Sequence, residues 1–341
     1  MPEKLMIIDG NSIVYRAFYG VPLLSDSEGN YTNGVYGFLN IFFKLFDEEN
    51  PDYVAVAFDV HAPTFRHKMF SDYKGNRKGM PEELRGQMPI LKDVLKAMNI
   101  ACFELEGYEA DDILGTVAKR SQAKGLEVSV VSGDRDLLQL ADTHIKIRIP
   151  KTSRKGTEIY DYYPEDVKRE YQVTPREFID VKALMGDSSD NIPGVPSIGE
   201  KTATSLITAY GSIENIKAHL DEVKPPRAKK ALEEHYDMAV MSKELALICL
   251  DCPIDFSWDE ARLTNLYTPE AYQYMKRLEF KSILARFDKT AAQEASAPDI
   301  KTRFTLVKDI KTADKIFGRA AKAGLAGFQL ILGRDGALKE T

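Results

Sequence analysis

Leu5-Met6-Ile7-Ile8-Asp9 is a run of four apolar residues closed by an acid. Two further runs have the same form: Tyr53-Val54-Ala55-Val56-Ala57-Phe58-Asp59 and Leu126-Glu127-Val128-Ser129-Val130-Val131-Ser132-Gly133-Asp134. Helical patterns separate them. They cover Ser12 to Phe18 and Tyr36 to Phe46, then Leu84, Met88, Leu91, Leu95 and Met98, then Ala110, Ile113, Leu114, Val117 and Ala118 before Gly125. Near-continuous apolar strands alternating with helices predict an α/β fold with a central, mostly parallel sheet flanked by helices. Ligands of such sheets bind beyond the carboxyl ends of the strands, where Asp9, Asp59 and Asp134 fall.

From about Lys151 the pattern predicts mostly helix. Thr174-Pro175-Arg176-Glu177 is a capping box with proline at the first helical position, opening a helix to Met185. More helices are expected to about Phe287. Lys289 to Pro298 reads as a linker, and Phe304 to Val307, Thr312 to Ala323 and Leu325 to Leu332 as strand, helix and strand of a second module. The expected plan is a core over 1–170, a helical region over 171–287, a linker over 288–300 and the start of another domain over 301–341.

The chain has 341 residues, 44% hydrophobic and 29% charged, which allows about two domains. Its net charge of −6 excludes a globally basic nucleic-acid binder, so such contacts must come from local patches. No charged leader and no membrane-length apolar run is present, so no membrane partner is expected. Cys102, Cys249 and Cys252 are the only cysteines; they suit a reducing cytoplasm, with Cys249 and Cys252 as free thiols.

Nine acids stand at the ends of predicted elements: Asp9, Asp59, Glu109, Asp111, Asp112, Asp134, Asp136, Asp187 and Asp190. One such motif alone reads as a cap or a solvated end. Three apolar strands each ending in aspartate do not arise readily by accident. Converging carboxylates repel unless cations neutralise them. Oxygen ligands without His or Cys suit Mg²⁺ or Mn²⁺. Two such ions about 4 Å apart can activate water and stabilise the leaving oxygen of a phosphodiester. Asn11 disfavours an aspartyl-nucleophile phosphatase. The run Gly194 to Thr202 approaches a phosphate-binding loop, but Glu200 interrupts it and no strand precedes it.

Thr64 to Lys78 carries Arg66, Lys68, Lys74, Arg77 and Lys78 against Asp72, interleaved with Phe65, Phe70 and Tyr73. Cations for phosphates and rings for bases are what single strands require. A plain solvated loop is the competing reading. The turn Ile192 to Ala203 is bracketed by Gly194 and Gly199. Free amides near Gly199 to Thr202, with Lys201, could grip a duplex phosphate without reading bases.

Together these motifs resemble the 5′-nuclease superfamily, the flap endonucleases, and within it the N-terminal 5′→3′ exonuclease domain of bacterial DNA polymerase I. The residues concerned are Ile8 to Ser12, Tyr15 to Phe18, Ala57 to Asp59, Thr64 to Arg66, Tyr73-Lys74, Tyr108 to Asp112, Gly133 to Asp136, Ala183 to Val195 and Ile198 to Ala203. The resemblance spans about residues 4–287. It implies a PIN-like nuclease fold followed by a helix-hairpin-helix over about 183–211. It implies one metal ion on Asp9, Asp59, Glu109 and Asp111, and another on Asp111, Asp134, Asp136 and Asp187, with Asp112 and Asp190 acting behind them or through water. Tyr15 would stack on the terminal base pair, and Arg16, Lys74 and Arg77 would steer the scissile phosphate. An arch over about 61–95, with Arg66, Tyr73 and Lys78, would take single strands. Gly194, Gly199, Lys201 and Thr202 would hold duplex, with a K⁺ on backbone carbonyls.

The implied activity is removal of RNA primers and 5′ flaps in DNA replication and repair. The implied substrates are flaps, nicked or gapped duplex and RNA primers on DNA. The tail resembles the opening of a 3′→5′ exonuclease-like domain. Gly327-Phe328-Gln329-Leu330 lacks that domain's Asp-x-Glu, so no proofreading is expected. The implied parent is a monomer with a polymerase module that this chain lacks. The competing functions are a smaller PIN-type ribonuclease and a non-catalytic DNA-junction binding module.

Overall fold

The computed structural model describes residues 2–153, 156–287 and 309–322. It divides into two units, Met1–Ser296 and Ala297–Thr341. In the second unit the described element is the helix Ile310–Lys322, where the pattern predicts helix from Thr312 to Ala323. The expected linker and the two flanking strands lie outside the described residues.

The first unit is built on six strands: β1 Lys4–Asp9, β2 Tyr53–Ala57, β3 Ala101–Phe103, β4 Glu127–Val131, β5 Ile145–Ser153 and β6 Gly156–Tyr162. Their order is β3-β2-β1-β4-β5-β6. The first five run parallel and β6 returns antiparallel along β5. Alternate side chains of the central strands enter cores on opposite faces. Leu5, Ile7, Val128 and Val130 pack with Ile113, Leu114 and Val117 of the helix Ala110–Ala123. Met6, Ile8, Val54 and Val56 pack with Ile13, Phe38, Phe42 and Leu91 from the helices Gly10–Gly20, Asn33–Glu49 and Gln87–Ala97. In register, Ile8 stands opposite both Val56 and Val131. The three carboxyl ends are therefore level, and the chain leaves each within three residues of its aspartate.

The expectation of helix directly after Lys151 is corrected, because β6 occupies Gly156–Tyr162. That edge strand is half-exposed and lacks the apolar run that marks the central strands. The helix expected from Leu84 is broken at Gly86 into Glu82–Arg85 and Gln87–Ala97. Gln87 lies buried at the break, and its Oε1 accepts from the Gly34 and Val35 amides at 2.7 and 3.2 Å. It thereby satisfies donors that the first turn of Asn33–Glu49 leaves open.

The helical region holds Pro164–Tyr171, Pro175–Met185, Glu200–Tyr210 and Pro226–Ala246, among others. The capping box at Thr174 forms, with Glu177 Oε2 accepting from the Thr174 amide at 2.8 Å. Among the described residues, no helix is long and apolar enough to cross a membrane.

Candidate active site

Asp9 ends β1 and caps the helix Gly10–Gly20, accepting from the Ser12 amide at 2.9 Å. Ser132 Oγ, just past β4, donates to Asp9 Oδ2 at 2.7 Å and accepts from the Asp134 amide at 3.0 Å. Ser12 Oγ accepts from the Gly133 amide at 2.9 Å. These two serines stitch the ends of β1 and β4 together. Asp59 accepts from the Ala110 amide at 2.8 Å, and Asn11 Oδ1 accepts from the Asp59 amide at 3.2 Å. Asp111 comes from the first turn of Ala110–Ala123.

Asp9, Asp59, Glu109, Asp111 and Asp134 line one open cavity of about 760 Å³. Tyr15, Arg16, Tyr19, Lys74, Arg77 and Lys78 are among the other residues of its wall. Among the described residues, no lysine or arginine pairs with Asp9, Asp59, Asp111 or Asp134. The electrostatic consequence is direct. Burial, then the charges of Asp59 and Asp134, push the Asp9 carboxyl up to about 7. Burial, then Asp134 and Asp9, hold Asp111 well above the usual range. Asp59 faces the cavity, yet crowding by protein raises it as well. Arg16 crosses the cavity wall against Gly133, where a Cβ would stand 2.5 Å from its Nη2. Its Nε is buried with no hydrogen-bond partner.

The other predicted acids are already neutralised. Glu109 takes Lys74 Nζ at 2.7 Å, Tyr73 Oη at 3.0 Å and Arg66 Nη1 at 3.3 Å. Asp190 is buried and pairs with Arg77, with Lys74 at 3.7 Å and with Tyr73 at 3.1 Å. Asp136 and Asp187 lie off the cavity wall and share Lys182, whose Nζ is 2.6 Å from Asp136. Burial and Asp134 push Asp136 up to about 7 against the pull of Lys182. At Asp187 burial is outweighed by Lys182 and Ser189, so its carboxyl lies below the usual range. Lys182 was not singled out from sequence; its position five residues before Asp187, in the last turn of a helix, was the available signal.

Three sequence expectations are corrected. Arg66 and Tyr73 are 2% and 3% exposed, so neither is placed to meet DNA; both serve buried acids. Asp112 is fully buried off the cavity wall, on Arg66 at 2.8 and 2.9 Å, and Arg66 also reaches Glu109 at 3.3 Å, so Asp112 stands behind Glu109. Gly194 is buried with φ +62°, and a Cβ there would stand 2.3 Å from the Gly186 nitrogen. Its role is close backbone packing. By contrast Lys78, Gly199 and Lys201 are exposed and Thr202 is half-buried. No side chain caps the helix Glu200–Tyr210 at Gly199.

Residues 4–172 match the 5′-3′ exonuclease, N-terminal resolvase-like domain, and residues 173–268 match the 5′-3′ exonuclease, C-terminal SAM fold. The chain belongs to the 5′-3′ exonuclease family. The family's two parts correspond here to the strand-and-helix layer that carries the cavity and to the helical region that carries the glycine turn. DNA polymerase I of Bacillus caldotenax is 45% identical over 322 residues, 94% of this chain and 36% of the relative. DNA polymerase I of Bacillus subtilis strain 168 is 45% identical over 321 residues, 92% and 36%. The chain thus spans about a third of the length of these relatives. Zinc-bound T5 5′-exonuclease superposes with TM-score 0.60 at 21% identity, over 86% of this chain and 100% of that one. The catalytic core of Rad2 with DNA substrate superposes with TM-score 0.53 at 14% identity, over 88% and 93%. The likeness to these nucleases is one of fold. The region is a 5′-3′ exonuclease domain of the DNA polymerase I type.

Proposed function

We propose that the chain is a structure-specific nuclease cutting 5′ flaps, nicked or gapped DNA and RNA primers on DNA, with two divalent ions, Mg²⁺ or Mn²⁺, as cofactors. The observation that carries this reading is the set Asp9, Asp59, Asp111 and Asp134, gathered on one cavity without a cationic partner. The donor set is all oxygen; Lys74 and Arg77 offset its charge only through space, without an ion pair to any of the four among the described residues. Among the described residues no three such groups close into a ready coordination cluster. Carboxylates spread round a wall suit ions that keep much of their water. Bound there, the ions would supply an activated water and charge stabilisation at the leaving oxygen. Asp136 and Asp187 would join only by giving up Lys182. Arg16, with its unpartnered Nε, and Lys78 would hold the phosphate, and Tyr15 would stack on the terminal base.

Gly199, Lys201 and Thr202 would grip duplex, aided by a K⁺ on the turn's carbonyls. The relatives carry the name DNA polymerase I; by the same reading this region, divided as the sequence suggests, joins a polymerase module in a monomeric cytoplasmic parent. The reading is tested by cleavage of a labelled flap duplex with and without divalent ion.

Two results are expected. Lys201→Ala weakens duplex binding alike for all sequences and lowers the salt slope of the affinity by about one. Titrations at several salt concentrations check this; an effect confined to certain base sequences contradicts it. The second concerns pH. Folded Asp9 and Asp136 release protons near 7, against about 3.9 in the unfolded chain. Between those values the native state binds more protons, so the metal-free protein loses stability as pH rises. Divalent ions compete with these protons. The rise in melting temperature on adding Mn²⁺ should therefore be larger at pH 8 than at pH 5.5, and an equal or smaller rise at pH 8 contradicts it.

A further inference from the structure

Arg66 and Asp112 form a buried clasp between three segments of the chain. All five guanidinium hydrogens are used. Nη1 and Nη2 donate to the two oxygens of Asp112, and Nη1 also reaches Glu109 at 3.3 Å. Nε donates to the Leu245 carbonyl at 2.9 Å and Nη2 to the Leu247 carbonyl at 2.8 Å, at the end of the helix Pro226–Ala246. Asp112 in return accepts from the amides of Glu109 at 3.0 Å and Cys249 at 2.9 Å. The same helix touches the glycine turn twice. Ser242 Oγ accepts from the Gly194 amide at 3.0 Å, and Arg227 Nη2 donates to Ser197 Oγ at 3.1 Å. The helix is kinked at His235, whose φ is −134°; the segment after the kink carries both Ser242, bonded to the glycine turn, and the end pinned to the turn that bears Glu109 and Asp111.

We propose that Arg66 is a positioning residue that carries the placement of duplex held at the glycine turn to the acids of the cavity. This rests on the function proposed above. A buried ion pair is a weak source of stability, since apolar residues of similar volume do as well. What the planar fork supplies is direction: its bonds to Leu245 and Leu247 fix the rotation of the segment after His235 against Ala110–Ala123. A lysine carries the charge without the fork.

The test compares kcat on a flap duplex and on single-stranded DNA of the same 5′ sequence. The proteins are the wild type, Arg66→Lys, and the paired change Arg66→Met with Asp112→Asn, which strands no buried charge. Both variants should lower the duplex-to-single-strand ratio of kcat by about tenfold or more, because small misplacements of reacting groups cost that much. Duplex Kd should stay within about threefold. If both substrates slow in proportion, alongside a lower melting temperature, the clasp is only structural and the proposal is overturned. A wild type that cuts flap duplex no faster than single strand would instead overturn the function on which it rests.

Discussion

Asp111→Asn should lower kcat for flap cleavage by about 10³-fold while leaving flap-duplex affinity within about threefold. Asp111 stands on the cavity wall in the first turn of Ala110–Ala123, crowded by Asp134 and Asp9 and paired with no cation. Asparagine keeps the shape and one acceptor oxygen but removes the charge that a divalent ion would meet. Removing a negative charge from a wall that faces phosphate does not weaken ground-state binding. The loss therefore falls on the chemical step, which single-turnover rates and a binding titration separate. A variant that still cuts at the wild-type rate refutes the assignment.

Lys74→Ala should slow cleavage by about 10²-fold or more with affinity within about threefold. Burial opposes the charge on Lys74, but Glu109 and Asp190 outweigh it, and the ammonium stays protonated. Its backbone, at φ +55°, is held by a hydrogen bond from the Lys74 N–H to the Asp190 carbonyl oxygen at 2.8 Å, so the side chain is aimed before substrate arrives. A cation fixed in advance beside the cavity stabilises charge that develops during the reaction more than charge already present. Equal losses in rate and affinity would show simple phosphate attraction instead.

The three strand-and-aspartate runs were legible because buried parallel strands are written as continuous apolar residues. They led to β1, β2 and β4 and to the level ends from which Asp9, Asp59 and Asp134 reach one cavity. The three-residue β3 and the half-exposed β6 carry too little apolar pattern to be seen. The basic segment reads as phosphate and strand contacts, yet Arg66, Lys74 and Arg77 all pair with acids. Buried carboxylates demand counter-charges, and a sequence does not show which cation turns inward to supply them. The same blindness hid Lys182 between Asp136 and Asp187, and Ser132 between Asp9 and Asp134.

The most direct measurement is cleavage of a 5′-labelled flap duplex beside a single-stranded RNA, each with Mg²⁺ and with chelator. The four unpaired carboxylates predict release of the flap only with the ion, and slower attack on the RNA. Flap cleavage that continues in chelator, or faster cutting of the RNA, would contradict a cation-dependent flap nuclease.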